Sequence, residues 1–284
     1  MQPTHIPRLA DLPTKSAVAA AAGSTIKELD GFVNAKEQLF TPIMKRKRGR
    51  KGKTRTVFKV HESLKPVHRK IAMWVQESWL APDCVNGFRK GRSILTHAQP
   101  HCGRPCVVTA DIFDFFPSIS ESQVRETLEF LGATSEVAHL LSDLTTLDGK
   151  LPPGTRCSPA IANVAARQID IAFEALGQKY TRYADDLAFS GQPDELPSAV
   201  QVEAVLRGCG FKLRDGSYFK ISQPRAQYVT GLLVNHSHGP HVGRRIKQSL
   251  RQEVYYIQKH SLDEHCQRIG VDDPGLHLWW TRPS

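Results

Sequence analysis

KYTRYADDLAFS, at residues 179–190, has β-favouring and apolar residues on both sides of a short break. The break is Ala184-Asp185-Asp186, and it carries two adjacent carboxylates. Residues of these types fit a pleated surface, so the pattern predicts two strands joined by a tight turn. Two neighbouring negative charges at a hairpin tip are unfavourable unless water or a cation compensates them. Taken alone, the pattern also fits a solvated Asp-Asp turn that binds no metal.

A third carboxylate follows a buried-looking strand earlier in the chain. Residues 105–117 read PCVVTADIFDFFP, so Asp111 comes at the end of an apolar run. If this strand lies beside the hairpin, Asp111 meets Asp185 and Asp186. Three carboxylates at strand ends suit hard divalent cations, which prefer oxygen ligands. Two such ions can bind the attacking and departing oxygens of a phosphoryl transfer.

The charge balance favours a polyanionic partner. The chain has 284 residues, enough for one large core or two smaller ones, and 38 Lys+Arg against 28 Asp+Glu give a formal net charge of +10. Residues 45–55, KRKRGRKGKTR, contain eight basic residues and no acid. The glycines and a following strand pattern predict a loop that contacts phosphate groups. A solvated basic run is the alternative.

Three observations favour a cytoplasmic protein without a membrane partner. No apolar run approaches the length that spans a bilayer. The N-terminal residues MQPTH lack the basic-then-apolar layout of a secretory signal. The six cysteines are scattered without paired spacing, so reduced thiols are expected.

The order of elements predicts an α+β layer with helical flanks: a strand, helices, the strand hairpin, a helix and short strands. Residues 243–260 have the pattern of a basic amphipathic helix. Its inward face is predicted to consist of Ile246, Leu250, Val254 and Ile257. Its outward basic residues are Arg244, Arg245, Lys247 and Arg251.

In combination these motifs resemble a reverse transcriptase, specifically the bacterial retron type, over about residues 23–259. YADD at 183–186 looks like the metal-binding hairpin of that family, and ADIFDFFPSI at 110–119 is similar to its first carboxylate motif. Residues 151–163 match the loop and helix that support the incoming nucleotide and template. HAQPH at 97–101 resembles the retron Asn-Ala-x-x-His element with His97 in place of Asn. VTG at 229–231 resembles the triplet associated with recognition of the retron's own RNA.

The resemblance implies a right-hand polymerase fold. Residues 1–104 would form an N-terminal arm and the fingers. Residues 105–235 would form the palm, an antiparallel sheet plus helices, with a finger–palm loop at 149–163. Residues 236–284 would form a short helical thumb.

The resemblance also implies an RNA-directed DNA polymerase, a nucleotidyltransferase of the bacterial cytoplasm. Such an enzyme reverse-transcribes a cognate structured non-coding RNA with deoxynucleoside triphosphates. Synthesis is primed from an RNA 2′-hydroxyl and yields branched RNA-linked single-stranded DNA. The family is associated with anti-phage defence and with an effector protein encoded nearby. The oligomeric state stays open.

The implied site residues fall into three groups. The catalytic carboxylates would be Asp111, Asp185 and Asp186, which bind two Mg²⁺ ions with the Ile112 carbonyl as an extra ligand and with Mn²⁺ as a substitute. Nucleotide contacts would come from Lys53, Arg55, Phe116, Pro153 and Gly154, with Phe116 as an aromatic gate against a 2′-hydroxyl. RNA contacts would come from His97, His101, Val229, Thr230, Gly231, Arg244, Arg245 and Arg251.

The sequence departs from the family pattern at three positions. Pro153 stands where the family usually has Gln, and proline lacks both the amide side chain and a backbone donor. Arg214 stands where the family favours Asn. Ser217 replaces a Lys, for which Lys220 is a candidate substitute. We expect activity, with fidelity or rate changed by these departures.

Three alternative interpretations remain. The first is a catalytically weak RNA-binding scaffold with the same fold, against which the three carboxylates argue. The second is a group II intron-like or diversity-generating reverse transcriptase; the intron proteins usually carry further maturase and nuclease segments. The third is a zinc protein, although neither of its two candidate ligand sets has convincing spacing. Those sets are His97, His101, Cys102 and Cys106, or His236, His238 and His241.

Overall fold

The computed structural model describes residues 6–46 and 54–268. The helices in these ranges are α1 (Lys15–Ala22), α2 (Ile26–Asn34), α3 (Lys36–Leu39), α4 (Lys65–Glu77), α5 (Ile94–Ala98), α6 (Glu121–Phe130), α7 (Ser135–Thr145), α8 (Ser158–Ala165), α9 (Arg167–Glu174), α10 (Ala199–Gly208), α11 (Arg244–His260) and α12 (Leu262–Arg268). The strands are β1 (Phe40–Arg46), β2 (Thr54–Val60), β3 (Cys106–Asp111), β4 (Lys179–Tyr183), β5 (Asp186–Gly191), β6 (Phe219–Ser222), β7 (Tyr228–Val229), β8 (Leu232–Leu233) and β9 (His241–Val242). The predicted α+β class is confirmed.

A four-stranded antiparallel sheet lies at the centre of the molecule, with strand order β4-β5-β3-β6. The predicted hairpin forms β4 and β5, and Tyr183 pairs with Asp186 at its end. The predicted strand before Asp111 forms β3 and pairs with β5, so that Asp111 lies opposite Asp186. The sheet topology therefore brings the three aspartates to one end of the same pair of strands.

The two faces of this sheet have different roles because side chains alternate along each strand. Val108 and Leu187 point to one face, which we call the helix face, and join the large core formed with the helices. Val107 and Ala188 point to the opposite face and join a smaller apolar cluster. Asp111 has the same parity as Val107, so the aspartates Asp111 and Asp186 lie on this second face, the aspartate face.

The smaller cluster is completed by a three-stranded sheet of order β7-β8-β9. Val229 and Val234 pack with Ala98, at the end of α5, against the aspartate face. Thr230 and Gly231 connect β7 to β8 with φ values of +48° and +82°. Positive φ at both residues is the feature of a type I′ turn, which suits the twist of a two-residue hairpin. This turn holds Thr230 beside the aspartate face.

Strand β2, which pairs with β1, packs against the loop that begins at residue 149. The backbone N–H of Phe58 in β2 donates to the carbonyl of Pro153 at 2.8 Å. Gly154 has φ +100°, and a Cβ at this position would lie 3.0 Å from the carbonyl oxygen of Phe58. Glycine is therefore required both by the backbone conformation and by the close approach of β2. Residues 47–53, which include Lys53 and most of the basic run, lie outside the described residues.

The prediction that the apolar side of helix α11 faces inward is wrong for three of its four residues. The helix begins and ends as predicted, but Ile246, Leu250 and Val254 are 49%, 42% and 51% exposed instead of buried. Ile257 is half-buried, and α11 packs against the short α12. An amphipathic pattern shows that one face is apolar, but it does not supply an element to cover that face. Among the helices in the described ranges, none is both long enough and apolar enough to cross a membrane.

Candidate active site

The tip of the β4–β5 hairpin is a two-residue turn formed by Ala184 and Asp185. Ala184 has φ +56°, and positive φ at the first turn residue is the feature of a type II′ turn, where glycine is usual. A non-glycine residue in this region is strained by about 1–2 kcal/mol. The backbone of Gly87 packs directly against this turn, since a Cβ at Gly87 would lie 2.5 Å from the nitrogen of Ala184. The tip is thus held by a neighbouring loop.

The three predicted aspartates come together at this tip. Asp111 lies opposite Asp186 in the β3–β5 ladder, and the N–H of Ile112 donates to the carbonyl of Asp185 at 2.9 Å. The Asp111 and Asp185 side chains are 24% and 38% exposed, so both can meet a ligand from solution. Asp111 is close enough to the hairpin tip for its carboxylate to share one cationic group with Asp185, as the polymerase hypothesis requires.

Arg214 is that cationic group in this structure. Its Nη1 donates to Oδ2 of Asp111, and its Nη2 donates to Oδ2 of Asp185 at 3.0 Å. The same Nη2 also donates to the carbonyl oxygen of Ile112 at 3.2 Å. In the sequence, Arg214 is a departure from the family pattern to which no role was assigned. The only signal there was an arginine at a position where the family favours the neutral Asn.

A tight turn fixes the backbone of Arg214 next to Asp111. The N–H of Arg214 donates to the carbonyl of Asp111 at 2.8 Å. The Ser217 hydroxyl donates to the carbonyl of Arg214 at 2.7 Å and accepts the N–H of Asp111 at 3.0 Å. Ser217, which stands where the family has a lysine, therefore ties this turn to β3.

The electrostatics of the cluster depend most on Asp186. Burial raises the pKa of the Asp186 carboxyl well above its usual range. A hydrogen bond with Asp111 and the negative charges of Asp185 and Asp111 raise this pKa further, whereas Arg214 lowers it. Three carboxylates gathered at this end of the sheet therefore need positive charge near them to remain ionised together.

The donor atoms at this site fit a hard cation. One carboxylate oxygen each of Asp111 and Asp185 and the Ile112 carbonyl converge on a single positively charged group. Oxygen-only donors are those that Mg²⁺ and Mn²⁺ prefer. In the described part of the chain, no set of three or more His, Cys, Asp or Glu side chains is arranged to hold a metal ion. At the aspartate cluster, Arg214 lies between two of the carboxylates.

A buried ion pair on the helix face supports the tip, and the sequence patterns did not predict it. Arg182 of β4 is fully buried, and its Nε and Nη2 each donate to Asp170 of α9 at 2.7 Å. The Tyr180 hydroxyl donates to the same carboxylate at 2.9 Å. The Nη1 of Arg182 donates to Oδ1 of Asn163 at 3.1 Å and to the carbonyl of Ala184 at 3.4 Å.

This network also reaches the loop that packs on the tip. The Nδ2 of Asn163 in α8 donates to the carbonyl of Gly87 at 2.8 Å. Hydrogen bonds of Arg182 and Asn163 therefore connect helices α8 and α9 to Ala184 and to the Gly87 loop that packs on it. The signal in the sequence was a pair of opposite charges, Asp170 and Arg182, within segments that otherwise have buried patterns.

A cavity of about 260 Å³ opens on the aspartate face, and we call it the Thr230 cavity. Residues that line it include His97, Asp111, Asp186, Tyr228, Thr230 and Gly231. Neither ring nitrogen of His97 has a hydrogen-bond partner within the described residues, and the Thr230 hydroxyl oxygen also has none there. Burial, followed by the charge of Arg182, lowers the pKa of His97 to about 3, so the ring is neutral. The cavity thus joins the carboxylates to polar groups that can accept or donate a hydrogen bond.

His101 occupies a different position from the one expected of an RNA-contacting residue. Its Nδ1 bonds the Ser190 hydroxyl and its Nε2 bonds the Thr181 hydroxyl, both at 2.7 Å. The ring is fully buried between β4 and β5, and burial lowers its pKa to about 3. Direct contact with RNA would require these bonds to break, so the structure gives His101 a packing role. It is likewise unsuited as a zinc ligand, because both ring nitrogens are engaged.

The remaining predicted site residues lie at several places around the cluster. Phe116 is half-buried, and its ring centroid lies 5.4 Å from that of Phe115 and 6.1 Å from that of Phe88. Arg55 is exposed on β2, opposite Lys45. Val229 is fully buried, and its side chain packs in the smaller apolar cluster.

The basic residues assigned to RNA and to nucleotide binding are distant along the chain from the cluster. Arg244 and Arg251 are exposed on α11, whereas Lys53 and the side chain of Arg245 lie outside the description. Lys220 pairs with Val108 in the β3–β6 ladder. It therefore points to the helix face of the sheet, so the expectation that it replaces the family's lysine is wrong. The register of β6, which the sequence pattern did not define, is the physical reason.

Comparison with known proteins agrees with the geometry. A model of the family described as reverse transcriptase (RNA-dependent DNA polymerase) matches residues 43–216, more than half of the chain. The chain is 30% identical over 295 residues to the retron Mx162 reverse transcriptase of Myxococcus xanthus, which covers 88% of this chain and 60% of that protein. It is 33% identical over 250 residues to the retron Mx65 reverse transcriptase of the same organism, with coverages of 78% and 57%.

A third relative comes from another bacterium. The chain is 27% identical over 220 residues to the retron Ec86 reverse transcriptase of Escherichia coli, with coverages of 74% of this chain and 68% of that protein. The chain spans about three fifths of the length of the two Myxococcus relatives. The family match includes the three aspartates and Arg214. The chain belongs to the reverse transcriptase (RNA-dependent DNA polymerase) family, and these three relatives are bacterial retron reverse transcriptases.

Proposed function

We propose that this chain is an RNA-directed DNA polymerase that uses two divalent cations. The convergence of Asp111, Asp185 and Asp186 at the end of β3 and β5 is the observation that carries the proposal. Nucleotidyl transfer needs little covalent chemistry from the protein, so positioning and charge stabilisation dominate. A site with three carboxylates on a rigid sheet provides both.

The carboxylates would hold two Mg²⁺ ions, with Mn²⁺ as a substitute. Asp111 and Asp185 would be the principal ligands, with the Ile112 carbonyl as a further oxygen donor and Asp186 completing the cluster. When bound, the ions supply activation of the primer hydroxyl and neutralise charge on the triphosphate and the departing pyrophosphate. The protein's own part is to hold the ligand oxygens in place, which the Arg182–Asp170 network does from the helix face.

The Thr230 cavity suits the end of the RNA primer. It borders Asp111 and Asp186, and it presents the His97 ring and the Thr230 hydroxyl to whatever enters. A nucleotide has the donors and acceptors that such buried polar groups require. The role assigned to the VTG turn, selection of the cognate RNA, is consistent with this location, and Gly231 permits the turn.

The nucleotide and duplex contacts are proposed at the positions named from the sequence. Phe116 would exclude a 2′-hydroxyl by collision, and Lys53, Arg55, Pro153 and Gly154 would border the triphosphate or template. Arg244, Arg245 and Arg251 on α11 would contact the duplex backbone. In domain terms, residues 1–104 would be arm and fingers, 105–235 palm and 236–284 thumb.

The retron character of the relatives supports the finer proposal. The template would be a cognate structured non-coding RNA, and priming from its 2′-hydroxyl would yield branched RNA-linked DNA. The protein would act in the bacterial cytoplasm, in anti-phage defence, together with an effector protein encoded nearby. These features rest on the resemblance of the motifs and on the names of the relatives.

A primer-extension assay on the cognate RNA tests the proposal. The wild-type chain should synthesise DNA in the presence of Mg²⁺, and Asp185→Asn should abolish synthesis while RNA binding stays nearly intact, because the basic surface is unchanged. Asp194→Asn, which removes an exposed carboxylate beyond the opposite end of β5 from the tip, serves as the matched control and should retain activity. Equal loss of synthesis and RNA binding in Asp185→Asn would mean that the aspartate is structural.

One observation favours a second candidate, a catalytically weak RNA-binding scaffold. Arg214 already neutralises two of the carboxylates in this structure, and Pro153 and Ser217 replace residues that the family uses near the nucleotide. If the pure wild-type protein binds the RNA but makes no Mg²⁺-dependent DNA, the scaffold is the correct assignment.

A further inference from the structure

We infer that Arg214 is a resident counter-ion of the aspartate cluster and that divalent cations bind there by displacing its guanidinium group. The inference rests on the proposed function, since it concerns the same carboxylates. It makes Arg214 a residue that sets cation affinity, and it couples cation binding to the arrival of the nucleotide.

The contacts of Arg214 coincide with the proposed metal ligands. The guanidinium donates to carboxylate oxygens of Asp111 and Asp185 and to the carbonyl of Ile112. A magnesium ion must approach such oxygens to about 2.0–2.1 Å. A guanidinium nitrogen that lies 3.0 Å and 3.2 Å from two of the same oxygens occupies the space that the ion needs. The two positive groups therefore exclude each other.

The electrostatic reason for the arginine is the repulsion within the cluster. Three neighbouring carboxylates repel one another, and a guanidinium that bridges two of them compensates part of this repulsion. Arginine does not lose its proton in proteins, so it competes with the cation at every pH. Salt bridges with the two aspartates leave the Arg214 side chain 24% exposed, which gives it a route into solvent.

The backbone of Arg214 limits how far the displaced group can travel. Its N–H is bonded to the Asp111 carbonyl and its own carbonyl accepts the Ser217 hydroxyl, so the Cα stays beside the cluster. Only the side chain has to rotate. The triphosphate that arrives with the cation carries the negative charge that a displaced guanidinium binds well. Nucleotide binding should therefore assist the displacement.

Titration of the purified full-length protein with Mn²⁺ tests the inference, with free Mn²⁺ measured by electron paramagnetic resonance. Arg214→Gln should bind Mn²⁺ at least about tenfold more tightly than wild type, because a competing charge-assisted contact is lost. Arg225→Gln is the matched control: it removes one exposed arginine and the same net charge, and its affinity should stay within about twofold of wild type. An affinity in Arg214→Gln that is equal to or weaker than wild type would overturn the inference.

A second measurement covers the coupling to nucleotide. Addition of a deoxynucleoside triphosphate should tighten Mn²⁺ binding by a larger factor in the wild-type protein than in Arg214→Gln, where no guanidinium has to move. Equal factors would show that Arg214 takes no part in the coupling. If Arg214→Gln fails to fold, Arg214→Lys replaces it. A single ammonium group cannot bridge all three oxygens, so Mn²⁺ should bind more tightly than to wild type, and an unchanged affinity would count against the inference.

The inference and the proposed function fail separately. Tighter Mn²⁺ binding in Arg214→Gln, removed again by adding Asp185→Asn, would support the counter-ion role even if the wild-type chain makes no DNA. DNA synthesis by wild type without tighter Mn²⁺ binding in Arg214→Gln would keep the polymerase and discard the counter-ion role.

Discussion

The buried pair formed by Arg182 and Asp170 should be a major contribution to the stability of the sheet, and Asp170→Ala tests this directly. The substitution removes the acceptor of two N–H groups of the fully buried guanidinium, one on Nε and one on Nη2. Burial alone would lower the pKa of Arg182, but the charge of Asp170 and its hydrogen bonds raise the pKa above its ordinary value. The arginine is therefore charged in the native protein, and its desolvation is uncompensated in the variant.

The expected loss is large compared with the stability of an ordinary domain. Removing one partner of a buried ion pair costs about 3–5 kcal/mol. The free energy of unfolding of a domain is about 5–15 kcal/mol, so about a fifth of it or more is at stake. With an m-value of about 3 kcal/mol/M, a loss of about 4 kcal/mol lowers the urea midpoint by about 1.3 M.

Urea unfolding of four proteins provides the measurement: wild type, Asp170→Ala, Arg182→Met and the double variant. The double variant should be less destabilised than Asp170→Ala alone, because it no longer buries an unpaired charge. Glu62→Ala, which breaks an exposed pair with Lys65, is the control and should shift the midpoint little. If the losses of the two single variants simply add in the double variant, the reasoning about the buried pair is refuted.

Three further predictions follow from backbone contacts and from a buried histidine. Gly154→Ala should cost about 1–2 kcal/mol of stability in urea unfolding, because its φ of +100° strains an L-residue; an unchanged midpoint would contradict this. Gly87→Ala should lower primer extension far more than RNA binding, since the added Cβ would lie 2.5 Å from the Ala184 nitrogen; parallel losses would indicate general misfolding. Burial lowers the pKa of His68 to about 4, below the unfolded value of 6.5. The unfolded state therefore binds the extra proton first, and this group removes about 1.4 kcal/mol of stability per pH unit as pH falls from 6.5 to about 4. His68→Gln should reduce that slope by one proton, whereas His238→Gln, which removes an exposed ring, should not.

The sequence predicted the strands that carry the aspartates, and it predicted their convergence on the condition that the Asp111 strand lies beside the hairpin. β-Favouring and apolar residues on both sides of a short break predicted β4 and β5, and an apolar run predicted β3 up to Asp111. Antiparallel pairing of β3 with β5 then placed Asp111 opposite Asp186. These features depend on local patterns with a period of two, which sequence shows directly.

Features that depend on contacts between distant segments were not predictable in the same way. The pairing of Arg182 with Asp170 joins a strand to a helix, and neither residue type reveals a buried partner. His101 was assigned to RNA, whereas the structure bonds it to Ser190 and Thr181. The exposed apolar residues of α11 illustrate the same limit, because a pattern defines a face but not what covers it.

The position of Arg214 was visible in the sequence, yet its interaction was not. The residue follows a short strand-like segment, and only the turn closed by Ser217 directs it toward Asp111. A departure from a family pattern identifies where a chain differs. How Arg214 changes the charge of the aspartate cluster can be seen only from its contacts in the three-dimensional structure.

The alternation of the central sheet makes it sensitive to a kind of mutation different from any substitution considered above. Loss of a single codon within β5 would shift its pairing with β3 by one residue and exchange the two faces of that strand. Leu187 would then move to the aspartate face, beside the Thr230 cavity, while a carboxylate would enter the apolar layer beneath the helices. In-frame deletions here should therefore be far less tolerated in a mutational library than deletions of equal size in the exposed loops.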